Sequence, residues 1–198
     1  MATVIAGMSM SLDGFIAGPN DEVGQLFGWC GGGDVEVRTR RDDMTLRTDE
    51  QSAELLRDIL SRVGAHICGR RQYEVAGAWG GSHPLGVPVF VVTHKPPADW
   101  PRGNTPFTFV TEGIEEAVAQ AKAAAGDKVV AISGADVSQQ VLNAGLLDGI
   151  GVDLVPVLLG QGIRWFDNIA EAPVTLDDPE VTEGRGVTHL YYHVRPQA

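Results

Sequence analysis

The chain has 198 residues, of which 43% are hydrophobic and 21% charged, and its formal net charge is −11. This length and composition predict one globular domain over residues 1–198, and the acidic balance disfavours nucleic acid and anionic membranes as partners. There is no apolar run of the roughly 18 residues that span a bilayer, no secretory signal pattern, and no thiol besides Cys30 and Cys68, so we expect a cytoplasmic protein without a metal site.

Short apolar runs alternate with segments of helical periodicity. The predicted strands are Val4–Met8, Ala65–Cys68, Val87–Thr93, Phe107–Val110, Val129–Ile132 and Gly151–Val157. The predicted helices are Glu50–Val63, Ile114–Ala124 and Val137–Ala144. Strands that alternate with helices predict an α/β fold with helices on the faces of the sheet.

The last part of the chain has a different pattern. Two extended runs, Pro173–Glu183 and Val187–Val194, flank Gly184-Arg185-Gly186, which predicts a C-terminal β-hairpin. Such a hairpin would make the mostly parallel sheet mixed. Its tyrosines, Tyr191 and Tyr192, could form an edge that pairs with a second copy in a homodimer; the alternative is a covered or twisted edge in a monomer.

The segment Gly31–Glu50 begins with three glycines and shows no clear periodicity. We interpret it as an insertion or a long flexible loop. It carries four acids that could face a substrate or simply be solvated: Asp42, Asp43, Asp49 and Glu50.

Three polar turns follow predicted strands, at the positions where open α/β sheets bind ligands. The first, Gly69-Arg70-Arg71, combines a glycine that lets a phosphate approach the backbone with two guanidinium groups that suit phosphate oxygens. The alternative is that these arginines are solvated and pair with nearby acids. The second turn, Thr93-His94-Lys95, could hold a phosphomonoester or be an ordinary polar loop. The third, Ser133–Val137, is a short strand-to-helix turn without a complete GxGxxG motif.

The histidines give no metal-binding pattern. His189 and His193 share a face of one predicted strand but lie too far apart for one metal ion, which favours surface or packed histidines. Nucleophile-elbow and zinc-deaminase motifs are also missing from the sequence.

Together with the three turns, two longer runs resemble the dihydrofolate reductase superfamily. They are SMSLDGFIAG at Ser9–Gly18 and LLDGIGVDLVPVLLGQGIRWF at Leu146–Phe166. The closest resemblance, from Thr3 to Val194, is to the branch with the reductase domain of the riboflavin-biosynthesis deaminase–reductase. It implies a three-layer α/β/α fold with a mixed eight-stranded sheet and NADPH lying across the strand ends.

The resemblance also implies roles for individual residues. It assigns the pyrophosphate and 2′-phosphate of NADPH to Gly69, Arg70, Arg71, Thr93, His94 and Lys95. The glycine-rich turn and the helix after it correspond to Ser133, Gly134, Ala135, Asp136, Val137 and Gln140, with Ser133 in the place of the family's first glycine. The nicotinamide end and its closing loop correspond to Ser9, Ile16, Ala17 and Asn20.

Asp13 stands where this branch places an acid near the start of the active-site loop. It is therefore a candidate catalytic residue, as a substrate-facing or loop-fixing carboxylate. The alternative is an Asp-Gly turn whose side chain bonds its own backbone.

The activity that the resemblance implies is NADPH-dependent reduction of a C=N or C=O bond in a small heterocyclic substrate, similar to 5-amino-6-(5-phosphoribosylamino)uracil reductase. One alternative is a dihydrofolate or pteridine reductase, which should carry a carboxylate on the first helix. The other is a nucleotide-binding module without turnover.

Overall fold

The computed structural model describes residues 2–195. Its strands are β1 Val4–Ser11, β2 Phe15–Ala17, β3 Val35–Arg38, β4 Thr45–Thr48, β5 Val63–Gly69, β6 Val89–Val92, β7 Phe107–Val110, β8 Val129–Ser133, β9 Gly149–Val155, β10 Ile163–Arg164, β11 Glu180–Gly184 and β12 Val187–His193. Its α-helices are α1 Glu50–Arg62, α2 Arg70–Val75, α3 Ile114–Ala125 and α4 Ala135–Asn143. Short 3₁₀ segments occupy Gly24–Leu26, Gly28–Cys30 and Gly77–Gly81.

The main sheet has eight strands in the order β11-β12-β9-β1-β8-β5-β6-β7. The six strands from β9 to β7 run parallel, and β12 and β11 join them in antiparallel pairing. The predicted α/β fold with a mixed, mostly parallel sheet and a C-terminal hairpin is therefore confirmed.

Helices lie on both faces of this sheet. On one face, α3 and α4 pack Val118 and Val141 into a core that includes Ile67 of β5. The next residue, Cys68, points to the opposite face and packs there with Tyr73 of α2. On that same opposite face Ser52 of α1 contacts β12. The arrangement has the three layers that the resemblance implied.

The second face is not covered in its middle, because α1 packs near β11 and α2 packs near β5 and β6. Between them Gly7 of β1 lies opposite Gly151 of β9. A Cβ added at either glycine would find only one backbone oxygen, at 3.9 Å, within 4 Å. This uncovered area over β8, β1 and β9 forms an open groove, called the cleft below.

The pairing of β1 with its two neighbours is unequal. β1 pairs with β9 from Ile5 to Ser11, whereas it pairs with β8 only from Val4 to Ala6. The two strands β1 and β8 therefore separate towards their carboxyl ends, at the edge where the polar turns lie.

The interpretation of Gly31–Glu50 as a flexible loop is wrong. Most of it forms the β3–β4 hairpin, in which Val35 lies opposite Thr48 and Val37 is only 1% exposed. The buried Val37 alternates with exposed neighbours, a two-residue period that anchors the hairpin against α1. Asp49 caps α1, since its carboxylate accepts a hydrogen bond from the Ser52 N–H at 3.1 Å.

The C-terminal hairpin also differs in detail from the prediction. Its first strand is only Glu180–Gly184, and β12 has a partner on each side. Tyr191 and Tyr192 are therefore half-buried inside the sheet, and the edge is β11, which exposes Glu180 and Glu183. Charged side chains on an edge strand oppose pairing with another chain.

Replacing Asp49, the cap of α1, tests how much its hydrogen bonds contribute to the stability of the protein. Asp49→Ala removes the acceptor of the Ser52 N–H and of the Arg185 N–H, which donates to it at 3.0 Å. We expect the free energy of unfolding, measured with urea, to fall by about 1–2 kcal/mol. Glu50→Ala, one residue later and exposed, is the control; equal stability of the two variants would contradict the capping role.

Candidate functional site

The three polar turns of the sequence meet at one edge of the sheet, because β8, β5 and β6 are adjacent and parallel. Ser133 Oγ donates a hydrogen bond to Gln72 Oε1 at 2.9 Å. A Cβ at Gly69 would lie 3.2 Å from a methyl carbon of Val137. Arg70 Nη1 donates to the Lys95 carbonyl at 2.6 Å. These contacts join the turns into one surface.

Two helices begin on this surface. α2 follows Gly69 and α4 follows Gly134, and neither helix has a side-chain cap. Gly134 has a φ of 94°, which favours glycine, and its N–H points to Met8 Sδ at 3.3 Å. Uncapped N-termini leave backbone N–H groups free and carry a partial positive charge, so the edge is suited to a diphosphate.

The two arginines of the surface have acidic partners. Arg70 pairs with Glu74 on the next turn of α2, and Arg71 pairs with Asp21 at 2.8 Å. This pairing is the alternative that the sequence left open. Exposed ion pairs contribute only about 0–1 kcal/mol, so a bound phosphate could replace the carboxylates. The contact of Arg71 also brings the loop of Asn20 to this surface.

The Thr93-His94-Lys95 turn is stabilised within itself. Thr93 Oγ1 donates to the Lys95 carbonyl at 3.0 Å and accepts from the Lys95 N–H at 3.2 Å. His94 and Lys95 are exposed, so their side chains can reach a ligand on this surface.

Several candidate residues lie apart from the surface. Ile16 is 4% exposed and belongs to the main core, and Ala17 is 7% exposed and pairs with Ile163 of β10. Gln140 donates to Asp136 Oδ2 at 2.6 Å along α4. The side chains of Ile16 and Ala17 are therefore buried, and that of Gln140 bonds to a residue of its own helix.

Asp13 acts on a neighbouring loop. Its carboxylate accepts hydrogen bonds from Ser11 Oγ at 2.6 Å and from the N–H groups of Leu159 and Gly160 at 3.1 and 2.7 Å. The Ser11 hydroxyl and these amides lower the pKa of Asp13 to about 2. The geometry is that of a loop-fixing carboxylate that holds the segment after β9.

The wall of the cleft near α1 contains a polar cluster that the sequence analysis missed. Asp153 of β9 lies opposite Ser9 of β1, with their side-chain oxygens 3.4 Å apart. His189 Nδ1 lies 2.7 Å from Asp153 Oδ1, and His189 Nε2 lies 2.9 Å from Ser52 Oγ. Trp29 Nε1 donates to Ser9 Oγ at 3.1 Å. The available signal was one ionisable residue in the otherwise apolar strand GIGVDLV.

The opposite wall is built on His66 of β5. Its Nε2 lies 3.0 Å from Ser133 Oγ, and its ring stacks on His83 at 4.6 Å. Burial lowers the pKa of both histidines, to about 4 for His83, so both are neutral near pH 7. Beyond His83 lies a cavity of about 350 Å³ lined in part by Arg40 and Arg41.

The first helix brings no carboxylate to the cleft. Its acids Glu50, Glu54 and Asp58 are exposed, and its buried positions are Ser52 and Ala53. The carboxylate nearest the cleft floor is instead Asp153, whose side chain is 30% exposed.

Residues 2–195 include neither a metal-binding cluster nor a membrane-spanning helix. No group of three or more His, Cys, Asp or Glu side chains in this range could hold a metal ion. None of the helices there has the length and apolar character needed to cross a bilayer.

Solved structures share this fold. Dihydrofolate reductase from Enterococcus faecalis, complexed with NADP(H), superposes with a TM-score of 0.59 at 15% identity, over 97% of this chain and 96% of that chain. The putative riboflavin biosynthesis protein from Shewanella sp. PV-4 gives 0.71 at 22% identity, over 98% and 99%. The architecture is therefore the dihydrofolate reductase-like α/β fold.

The Thermotoga maritima diaminohydroxyphosphoribosylaminopyrimidine deaminase/5-amino-6-(5-phosphoribosylamino)uracil reductase superposes with a TM-score of 0.63 at 12% identity. The match covers 98% of this chain but 57% of that one. The family model of the RibD C-terminal domain matches residues 2–188. The chain belongs to the RibD C-terminal domain family. No curated protein matches it by sequence.

The loop-fixing role of Asp13 predicts a pH-dependent stability difference. Asp13→Asn should lower the melting temperature near neutral pH, because an amide cannot accept the same set of hydrogen bonds. A pKa lowered from 3.8 to about 2 means that the stabilisation is present above 3.8 and is lost as the pH falls through about 2.

The melting temperatures of wild type and Asp13→Asn should therefore converge below about pH 4. Asp58→Asn, which changes an exposed ion pair of α1, is the control. A difference that does not depend on pH would show that the Asp13 carboxylate is not the stabilising group.

Proposed function

We propose that this protein is an NADPH-dependent reductase of a small heterocyclic compound, similar to 5-amino-6-(5-phosphoribosylamino)uracil reductase. The observation that carries the proposal is one edge of the sheet, where three polar turns and two uncapped helix N-termini lie beside an uncovered cleft. Membership of the RibD C-terminal domain family supports it, as does the likeness to the T. maritima enzyme, whose name includes that reductase activity.

The residues at this edge fit a dinucleotide with an extra phosphate. The turns at Gly69 and Gly134 would hold the pyrophosphate through free backbone N–H groups. Arg70 and Lys95, joined by a hydrogen bond, would hold the 2′-phosphate. When bound, the cofactor would supply the hydride, and the protein supplies binding, orientation and electrostatics.

The position of the cleft suits this arrangement. The separation of β1 from β8 opens the sheet next to the turn at Ser133 and Gly134, so that a ring entering there can reach the cleft. Ser9, which the resemblance placed at the nicotinamide end, lies on the cleft face of β1. A near-attack distance of roughly 3–3.5 Å between donor and acceptor carbons requires such a route into a shaped site.

The lining of the cleft favours a flat, polar substrate. Gly7 and Gly151 leave room above the sheet, and the rings of Trp29 and His66 stand at the two walls. Asp153 and Ser9 offer hydrogen bonds at the floor. A planar heterocycle would fit over the two glycines, and the cavity lined by Arg40, Arg41, Asp42 and Asp43 could take a polar substituent.

These features weigh against the alternatives. A dihydrofolate or pteridine reductase was expected to place a carboxylate on the first helix, and the acids of α1 are exposed, with Glu50 and Asp58 paired with arginines of the same helix. A nucleotide-binding module without turnover would need only the turn-lined edge. An open cleft with a carboxylate on its floor favours an enzyme over a module that only binds a nucleotide.

Cofactor titration tests the proposal most directly. We expect the purified protein to bind NADPH at least about tenfold more tightly than NADH, which corresponds to about 1.4 kcal/mol for the 2′-phosphate. Arg70→Ala combined with Lys95→Ala should abolish this preference. Lys122→Ala, which removes a cation near the end of α3, is the control and should bind NADPH as the wild type does.

Nucleotide binding and catalytic turnover are measured in separate experiments. Fluorescence titration gives the affinities, and NADPH oxidation with 5-amino-6-(5-phosphoribosylamino)uracil, compared with dihydrofolate, gives the activity. Failure to bind either nucleotide would overturn the proposed function.

Filling the floor of the cleft tests where the substrate lies. Gly7→Val places its side chain in open space within a strand, so the melting temperature should not fall. The added side chain should raise the KM for the substrate by about tenfold or more, with little change in NADPH affinity. Thr108→Val, at an exposed position on β7, is the matched control. An unchanged KM for Gly7→Val would place the substrate elsewhere.

A further inference from the structure

We propose that Asp153 and His189 together hold the proton that completes the reduction, and that Asp153 delivers it to the substrate. This inference rests on the proposed function, and it identifies the proton donor, which the transfer of a hydride alone does not specify. It follows from counting donors and acceptors along the polar cluster at the wall of the cleft.

One end of the cluster is the N-terminus of α1. The Asp49 carboxylate accepts hydrogen bonds from the N–H groups of Ser52 and Arg185 and from Ser52 Oγ, the last at 2.8 Å. Because the Ser52 hydroxyl has one proton and gives it to Asp49, its oxygen can only accept from His189. His189 Nε2, at 2.9 Å, therefore carries a hydrogen.

The other ring nitrogen faces Asp153. The distance of 2.7 Å between His189 Nδ1 and Asp153 Oδ1 requires a proton between them, since two bare acceptors would repel each other. The pair thus holds two protons, as imidazolium with carboxylate or as imidazole with carboxylic acid. Either form has one proton more than a neutral histidine beside an ionised aspartate.

The second oxygen of Asp153 has its own donor. Trp29 Nε1 has a hydrogen but no acceptor capacity, so it donates to Ser9 Oγ at 3.1 Å. The Ser9 hydroxyl is then free to donate towards Asp153 Oδ2 at 3.4 Å. This contact is long, so a substrate atom that enters the cleft can compete for that oxygen.

Exposure decides which partner reaches the substrate. The His189 side chain is 4% exposed, whereas that of Asp153 is 30% exposed beside Gly151 and Gly7. Asp153 is thus the catalytic residue, and His189 is a positioning residue that acts through it. The ionisable groups that face the pair are Asp49, through Ser52, and Cys30, whose thiol pKa is raised to about 11 by burial and by the Asp153 charge.

A bound reduced nicotinamide would supply the hydride to the carbon of the substrate's C=N or C=O bond and would itself leave oxidised. The π electron pair moves to the nitrogen or oxygen, which forms a bond to the proton given up by Asp153. The pair is left as neutral imidazole and carboxylate, in which His189 Nδ1 and Asp153 Oδ1 are two acceptors that repel each other, so the pair takes a proton back from solvent.

The first test determines the protonation of the Asp153–His189 pair in the absence of catalysis. NMR of the protein alone near neutral pH should show the extra proton on the pair, either as hydrogens on both ring nitrogens of His189 or as a protonated Asp153 carboxyl group. In Asp153→Asn the ring should have one hydrogen, because the amide brings no titratable proton. A His189 ring with one hydrogen beside an ionised Asp153 carboxylate in the wild type would overturn the inference.

The second test is kinetic. With 5-amino-6-(5-phosphoribosylamino)uracil as the probe, Asp153→Asn should lower kcat by about 10²–10⁴-fold. Its affinity for NADPH should stay at the wild-type value, and the fall of kcat at high pH that we expect for the wild type should disappear. His189→Gln should shift the pH profile, and Asp58→Asn is the matched control.

The outcomes separate the two proposals. Wild-type turnover by Asp153→Asn with an unchanged pH profile would overturn the proton-donor role and leave the reductase function standing. A wild type that binds no NADPH would overturn the proposed function and the transfer step with it. The NMR result still decides whether the pair holds the proton.

Discussion

Parallel strands in the middle of a sheet normally need a helix on each face, because both of their faces are apolar. In this protein α3 and α4 cover one face over β5, β6 and β8, and residues from Ile163 to Leu176 join the same core, but on the other face α1 and α2 pack towards opposite ends of the sheet. Gly7 and Gly151 make that gap tolerable, since they expose no apolar side chain. The cleft is therefore a consequence of where two helices pack and of two residues without side chains.

Parallel pairing has a second consequence. Because β8, β5 and β6 run in the same direction side by side, the turns that follow them leave the sheet at one edge. Two of these turns lead directly into helices, so the free N–H groups of both helices lie at this same edge of the sheet. The cations that gather there are balanced by Glu74 and Asp21, which keeps a strongly acidic protein from carrying an unpaired positive patch before a ligand arrives.

The polar cluster of the cleft wall joins elements that are far apart in sequence. Ser9, Ser52, Asp153 and His189 come from β1, α1, β9 and β12, and each has a partner within hydrogen-bonding distance. A hydrogen-bond network of this kind lowers stability when some of its buried polar groups lack partners, and it makes the structure rigid when all of them have partners. It therefore both fixes α1 on the sheet and holds a carboxylate at the cleft floor.

The sequence by itself determined the strands of the main sheet, three of the helices and the turns at Gly69, Thr93 and Ser133, because periodicity and turn chemistry are local properties. It did not reveal the β3–β4 hairpin, whose short strands depend on packing of Val37 against the rest of the molecule. Nor did it reveal the pair of Asp153 and His189, which are 36 positions apart and meet only through the register of β9 with β12. Only the tertiary structure decides such contacts, since register depends on all the strands together.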